Sequence, residues 1–335
     1  MTHRFPLKEI ALQSGLSTAT VDRVINDRPN VSGQSRARVA AAIEELRLQE
    51  GQLAARGRRM FVDVIVEAPK RFSQKIRHAI ETVLPQFQPA VIRPRFTFQE
   101  VMSEEQALAH LDRVLRRGSS GVCLKLRDLP AIRFAVKQLR AKGIPVVTMF
   151  TDLDVDRTAY VGVNNYQAGQ IAAYLMMQTL QKAQNEAILL TTSQASFAGE
   201  DARAHGFRAA VSGQGFRLIN VDGAGGLATQ TAQMITARAQ DIGALGGVYS
   251  MGGGNRAILQ ALGGIGAPPR VFIGHDLDVE NRALLREGHL HYVLDHDLRG
   301  DLHHAFAHIA AAHGLGRAPE TGMSDVQILT PIQVA

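Results

Sequence analysis

"STATVDRVINDRPNVS", Ser17 to Ser32, decides how the chain begins. Ser17 and Thr18 place hydroxyl caps at a helix start, Val21, Val24 and Ile25 form one apolar stripe, and the helix has to halt before Pro29. Working outward, Pro6 opens an earlier helix over about Leu7 to Ser14, with Leu7, Ile10 and Ala11 on one face and Gly15 as its left-handed C-cap. Ser32 caps a third helix, whose stripe is Val39, Ala42, Ile43 and Leu46. Only "GLS" separates the first two helices, the spacing of a helix-turn-helix. In that arrangement the second helix lies in the DNA major groove. Thr18 and Ala19 then meet base edges and Arg23 reaches guanine, while Ser17, Thr20, Asn26 and Ser32 bond phosphates. Taken alone, the same caps and stripes also suit a plain three-helix bundle.

Charge supports a polyanion partner at this end. Residues 1–60 hold ten Arg or Lys against six Asp or Glu, a net of +4 out of the formal +6 of all 335 residues. A solvated charged surface is the plainer explanation of the same numbers. With 45% hydrophobic and 20% charged residues the composition is that of a globular protein, and the length predicts two or three domains. No stretch reaches the ~18 uninterrupted apolar residues of a membrane span. "MTHRFPLKEI" has no apolar run behind its basic residues, so a cytoplasmic location is expected. The single Cys123, inside "GVCLKL", predicts a buried, inert thiol.

From Phe61 the pattern changes to short apolar strands alternating with amphipathic helices. "FVDVIVEA", "VIRPRFTF", "GVCLKL" and "IPVVTMF" read as strands, with "SQKIRHAIETVLPQF", "SEEQALAHLDRVLRR" and "LPAIRFAVKQLRAKG" as the helices between them. The alternation restarts after Asn164 and runs to "RVFIGHD". Repeated βαβ predicts parallel sheets covered by helices on both faces, and two such lobes in series predict a cleft between them.

The residues carry a resemblance along the whole chain. "LKEIALQSGLSTATVDRVINDRPNVSGQSRARVAAAIEEL" resembles the DNA-binding head of the LacI/GalR bacterial transcription regulators, helix for helix. The resemblance gives Thr18, Ala19 and Arg23 the base-reading places, and Ser17, Thr20, Asn26 and Ser32 the phosphate-contacting ones. Asp22 departs from the small hydroxyl usual between Val and Arg, and its charge has to be offset by a cation. The linker also departs. Glu50 and Gly51 replace the usual Pro-Asn, and Gly57 stands where a hinge helix usually carries its minor-groove Leu, so either Leu53 substitutes or the operator is kinked less. Arg56, Arg58 and Arg59 remain for phosphate or minor-groove contact.

From Phe61 onward, "YVGVNNYQAGQIAAYL", "ARAHGFRAAV", "VYSMGGGNRAI" and "VFIGHDLDVENRALLREGHLHYVLDHD" resemble the periplasmic-binding-protein-like effector domain of the same regulators. The implied architecture is a small all-α helix-turn-helix head (1–48), a linker (49–60) and a two-lobe α/β effector and dimerisation domain (61–335) with parallel sheets and Rossmann-like lobes. The sugar-bonding positions of relatives fall on Arg203, Asp276 and His296, the last in place of Gln. Asn165 and Asn255 are further candidates, and Phe72 and Phe150 could stack on a ring. An Asp-Arg pair common after "PVVT" is missing, with Phe150, Thr151 and Asp152 there instead. Arg203 could alternatively pair with Asp201 or Glu200 on the surface.

An enzyme is not expected. "GAGGLA" and "MGGGN" do not form G-x-G-x-x-G after the first strand, and no Walker pattern occurs. His304 and His308, four apart, lack further ligands, so no metal and no cofactor are expected. The resemblance therefore implies a repressor acting as a homodimer on an approximately palindromic double-stranded DNA operator. Its effector would be a monosaccharide, polyol or sugar phosphate bound between the lobes. The alternative, a sugar-binding protein of the periplasmic type, would need a signal peptide and has no use for a basic head.

Overall fold

The computed structural model describes residues 4–55, 59–180, 186–193, 196–223, 227–243, 245–320 and 323–334. The head consists of α1 (Leu7–Ser14), α2 (Thr18–Ile25) and α3 (Gly33–Ala55). Its small core buries Phe5, Ile10, Ala11, Val21, Val39 and Ala42, with Val24, Ile25, Ile43 and Leu46 packed against them. Gly15 ends α1 at φ 63°, and the Ser17 and Ser32 hydroxyls each accept an amide N–H of the helix they start, from Thr20 and Ser35, at 3.1 Å. α3 continues through Gly51 to Ala55, so the first part of the expected linker prolongs the third helix. Arg56, Gly57 and Arg58, and the side chain of Leu53, lie outside the described residues.

Behind the head stand two similar lobes. The first is built on β1 (Arg59–Glu67), β2 (Val91–Gln99), β3 (Gly121–Lys125), β4 (Val146–Met149) and β5 (Ala159–Val163), with α4 (Lys70–Val83), α5 (Glu104–Arg117) and α6 (Pro130–Ala141) between them. The second contains α7 (Asn165–Leu180), β6 (Ala187–Thr191), α8 (Ala198–Val211), β7 (Arg217–Val221), α9 (Ala228–Ala237), α10 (Ala239–Ile242), β8 (Leu245–Ser250), α11 (Asn255–Gly264), β9 (Val271–His275), α12 (Val279–Arg286) and β10 (Tyr292–Asp295). α13 (Leu298–Ala312) then returns to the first lobe, where β11 (Met323–Ser324) pairs with β5. β12 (Gln327–Leu329) closes on β10, antiparallel. The sheet orders are β11-β5-β4-β3-β1-β2 and β12-β10-β9-β8-β6-β7. The chain thus crosses between lobes after β5, after β10 and after β11.

Both faces of each sheet are buried, which explains the nearly continuous apolar strands. In β1, Val62, Val64 and Val66 pack under α4 and α13, whereas Ile65 faces the layer of Leu111, Val136 and Leu139 from α5 and α6. Asp63 interrupts the run and is buried, paired with Arg117 at 2.5 Å. β1 starts at Arg59, two residues before the expected strand, and its first rung joins Arg59 to Val91. Cys123 is buried, and loss of hydration pushes its thiol up to about 12.

In the second lobe α7 and α8 lie backbone to backbone. A Cβ at Gly169 would overlap the Arg203 carbonyl, and one at Gly206 would overlap that of Tyr166. Two helices meet at this distance only where both present glycine, and the crossing fixes where α8 carries Arg203.

Candidate functional site

A cavity of about 70 Å³ lies between the lobes, several times the ~15 Å³ that admits one water. Its walls are the residues that follow the C-terminal ends of parallel strands, where such folds bind ligands. Lys125 ends β3, Phe150 and Thr151 follow β4, Ser193 follows β6, Met251 follows β8, Asp276 follows β9 and His296 follows β10. Phe72 and Phe150 meet edge to face at 5.5 Å, and His296 lies 5.3 Å from Phe150, giving one aromatic wall. Phe150 and Asp276 have φ of 63° and 65°, a left-handed backbone that non-glycine residues adopt only under constraint.

The polar wall is held from behind. Arg203, buried on α8, donates from Nε to Asn165 Oδ1 at 2.7 Å and from Nη1 to the Met251 carbonyl at 3.2 Å. Asn165 in turn donates to the Phe150 carbonyl at 3.2 Å. Asn255 donates to Asn281 Oδ1 at 2.7 Å, and Asn281 Nδ2 bonds the carbonyls of His275 and Asp276 at 2.9 and 2.8 Å. His296 sets Nδ1 2.5 Å from Asp301 Oδ2 and points Nε2 towards Asp276 Oδ1, 3.7 Å away.

Residues 90–312, more than half of the chain, match the family described as Periplasmic binding protein domain. The chain belongs to that family. Residues 6–48 match Bacterial regulatory proteins, lacI family, so this periplasmic-binding-protein chain carries a lacI-type head. HTH-type transcriptional regulator TreR of Salmonella typhimurium is 30% identical over 131 residues, 37% of this chain and 39% of that protein. The match therefore spans well under half of the curated relative.

Among solved structures, a solute binding protein from Burkholderia graminis in complex with D-arabinose aligns with TM-score 0.72 at 17% identity, covering 82% of this chain and 96% of the other. GanP, a glucose-galactose binding protein from Geobacillus stearothermophilus, gives 0.71 at 16%, over 81% and 97%. A chain described as a LacI transcriptional regulator from Bacteroides fragilis gives 0.67 at 16%, over 82% and 97%. At these identities the likeness is one of fold.

In this periplasmic-binding-protein chain, Phe72, Phe150, Arg203, Asp276 and His296 line the cavity, whereas Asn165 and Asn255 stand behind its wall and orient Arg203 and the Asp276 backbone. Glu200 does not pair with Arg203. It accepts from the Ser193 amide at 2.6 Å and the Ser193 hydroxyl at 2.5 Å. Asp152 turns away from the cavity to Thr148, at 2.7 Å, and to Arg157.

Sequence reasoning missed Lys125, Glu200, Arg71 and Asp278, all in the lining. A charged residue at the C-terminal end of "GVCLK" is the signal that could have found Lys125. Its Nζ donates to the Glu67 carbonyl at 3.0 Å and lies 4.1 Å over the Phe197 ring. Burial lowers its pKa, and the nearby Glu200 charge opposes that shift. Asp276, Asp295 and His296 bring ligand-type atoms within 4.8 Å of one another, and Lys75 Nζ, 3.1 Å from Asp295, supplies a positive charge at that cluster.

On the head, Thr18, Ala19, Arg23 and Asn26 are exposed along α2. Ser17 and Thr20 share a hydroxyl hydrogen bond at 2.9 Å. The Asp22 charge is offset by Arg28 at 3.2 Å, and its Oδ1 accepts from Asn26 Nδ2 at 2.8 Å. No described helix is long and apolar enough to cross a membrane.

Proposed function

We propose that the chain is a sequence-specific DNA-binding transcriptional regulator, acting as a repressor, whose operator affinity is controlled by a small sugar-like effector held between the lobes. One observation carries this reading: an exposed reading helix and a ligand cleft at strand C-termini belong to one chain. The partial match to the regulator TreR supports the same reading.

Thr18, Ala19 and Arg23 read bases, and Ser17, Thr20, Asn26 and Ser32 hold phosphates. Arg56 and Arg58 extend the backbone contacts. One small head reads few base pairs, so two copies of the chain bind an approximate palindrome as a homodimer. Such a protein works where the DNA is, in the cytoplasm, and catalyses nothing.

The effector is polyhydroxylated. Arg203 and Lys125 donate, Asp276 and Glu200 accept, His296 Nε2 offers one further hydrogen bond, and the aromatic wall covers an apolar ring face. The lining's three cations, Arg71, Lys125 and Arg203, face four carboxylates, Glu100, Glu200, Asp276 and Asp278, which favours an uncharged monosaccharide or polyol over a sugar phosphate. Solved relatives include proteins described with bound D-arabinose and D-allose.

The test is in vitro selection from random duplex DNA with the purified chain at near-physiological salt, followed by titration of a sugar panel against the selected site. Enrichment of one palindrome, released or tightened by one sugar, is the expected result. Binding that is only salt-sensitive and sequence-blind would overturn the regulator reading. A sugar bound without any operator would favour the transport-type alternative.

A further inference from the structure

Two ion pairs join the lobes directly, one at the cleft and the other beside the crossing that follows β10. Arg71, in the first turn of α4 in the first lobe, sets Nε 3.1 Å from Asp278 Oδ2 in the second. Lys75, one turn further along the same helix face, sets Nζ 3.1 Å from Asp295 Oδ1 at the end of β10. All four side chains are at least two-thirds buried, with relative exposures of 32% and 11% for the first pair and 23% and 13% for the second. The Arg71 guanidinium comes up against Gly253 through Nη2, which a Cβ there would overlap. That loop has φ 85° and 78° at Gly253 and Gly254, and only a residue without a side chain leaves room there for a guanidinium. Arg71 and Asp278 both line the cavity.

We infer that Arg71 forms with Asp278 a charge clamp that holds the two lobes closed before any effector binds, with Lys75 anchoring the same helix at the pivot and Arg71 as the gate over the cleft. The argument is geometric. Both cations sit on one helix of one lobe and both carboxylates belong to the other; opening the cleft must break the Arg71–Asp278 pair, while Lys75–Asp295 holds the same helix next to the crossing after β10. Each carboxylate is already fixed on its own lobe: Asp278 caps α12 by accepting the Asn281 amide at 2.8 Å, and Asp295 ends a sheet strand. The clamp therefore meets pre-placed partners and loses little side-chain entropy beyond that of Arg71 and Lys75. A ligand has to displace the gate to enter, and anything too long to be enclosed keeps it displaced. The clamp goes beyond the sugar-regulator reading and does not depend on it.

The experiment uses the full-length chain dialysed free of small molecules, with spin labels at Ala109→Cys on α5 and Arg282→Cys on α12. Both positions are exposed and lie on different lobes, and the buried Cys123 stays unlabelled. Double electron–electron resonance reads the inter-lobe distance. The expected result is one dominant short distance in the parent protein at low salt. Arg71→Gln and Asp278→Asn should each raise the open fraction about three- to fivefold, in line with a partly exposed ion pair. Together they should do little more than either alone, because they remove the same interaction. Asp278→Asn keeps the helix cap, since Asn caps as well as Asp, so it tests the clamp even if Arg71→Gln folds poorly. Raising salt to about 1 M, where screening acts within about 3 Å, should open the parent more than the doubly neutralised protein, which keeps only the Lys75–Asp295 pair. A distance distribution indifferent to both substitutions and to salt would overturn the clamp, whatever sugar or operator the protein proves to bind.

Discussion

His296 Nδ1 lies 2.5 Å from Asp301 Oδ2, and Asp301 is 1% exposed in the first turn of α13. The Ser324 hydroxyl donates to the same oxygen at 3.3 Å. A buried carboxylate on Nδ1 fixes the ring and turns Nε2 into the cleft, towards Asp276. His296 is thus held in orientation, with one ring nitrogen left for a ligand. Asp301→Asn should weaken effector binding by about tenfold while leaving the fold intact. His296→Gln should restore an amide and shift preference among sugars. Calorimetry with the sugar identified by operator release decides this, and unchanged affinity in Asp301→Asn would remove the orienting role.

The Asn165 to Arg203 bond makes a separate demand. Asn165→Ala removes the acceptor at 2.7 Å from Arg203 Nε and leaves a buried guanidinium partly unpaired. A loss of about 1–3 kcal/mol of stability is expected, together with weaker effector binding. Chemical denaturation and calorimetry measure the two, and Asn165→Asp should recover more of the binding than Ala.

The α7–α8 crossing tolerates no side chain at its contact points. Gly169→Ala or Gly206→Ala drives a methyl into backbone of the other helix, and overpacking of this kind costs about 1–3 kcal/mol or more. The α8 shift also displaces Arg203. Both variants should show lowered denaturation midpoints and reduced effector affinity, whereas Gly263→Ala, which meets nothing within 4 Å, should be neutral or slightly stabilising.

On the proposed function, Arg23 and Asp22 have different parts in α2. Arg23→Ala should cost about 1–3 kcal/mol of operator affinity and relax preference at one base pair. Asp22→Ala removes a negative charge and frees Arg28, so it should strengthen binding about evenly across sequences and steepen its salt dependence. Repeating the selection with each variant separates the two patterns.

Burial, with Arg203 and His296 nearby, holds the His275 imidazole well below its usual 6.5, and its Nε2 is 2.8 Å from the Tyr249 hydroxyl. His291, His303 and His308 are lowered too, chiefly by burial. Below about pH 6.5 the unfolded chain takes up protons that these native histidines refuse, so stability falls as pH drops through 6.5 towards the lower native values. The slope from His275 alone is about 1.4 kcal/mol per pH unit. Urea midpoints between about pH 7 and 5 should decline in the parent, and His275→Gln should reduce the slope by about one proton.

Much of this was legible in the chain because it is local. Hydroxyl caps at Ser17 and Ser32, a glycine at 15 and stripes of apolar residues each act within one or two turns, and the α/β alternation follows from the burial of both sheet faces. Asp276 was readable from its place after a strand, and Arg203 from its Arg-x-x-Gly-Phe setting. Elements after "RVFIGHD" were not read as such: α12 is short, β10 has four residues, and β11 and β12 exist only as edge rungs on strands far away in sequence.

By itself the sequence determined the helical head, the two lobes and the strand ends that carry the cleft, because periodicity, caps and strand-end position are properties of neighbouring residues. Only the tertiary structure decided that Asn165 and Asn255 stand behind the wall, that His296 is locked by Asp301, and that Arg71 and Lys75 reach Asp278 and Asp295. Those contacts join residues 5 to more than 200 positions apart. Hydrogen bonds and ion pairs act over a few ångströms of space, and the packing of α4, α8 and α13 around the cleft brings such residues within that range.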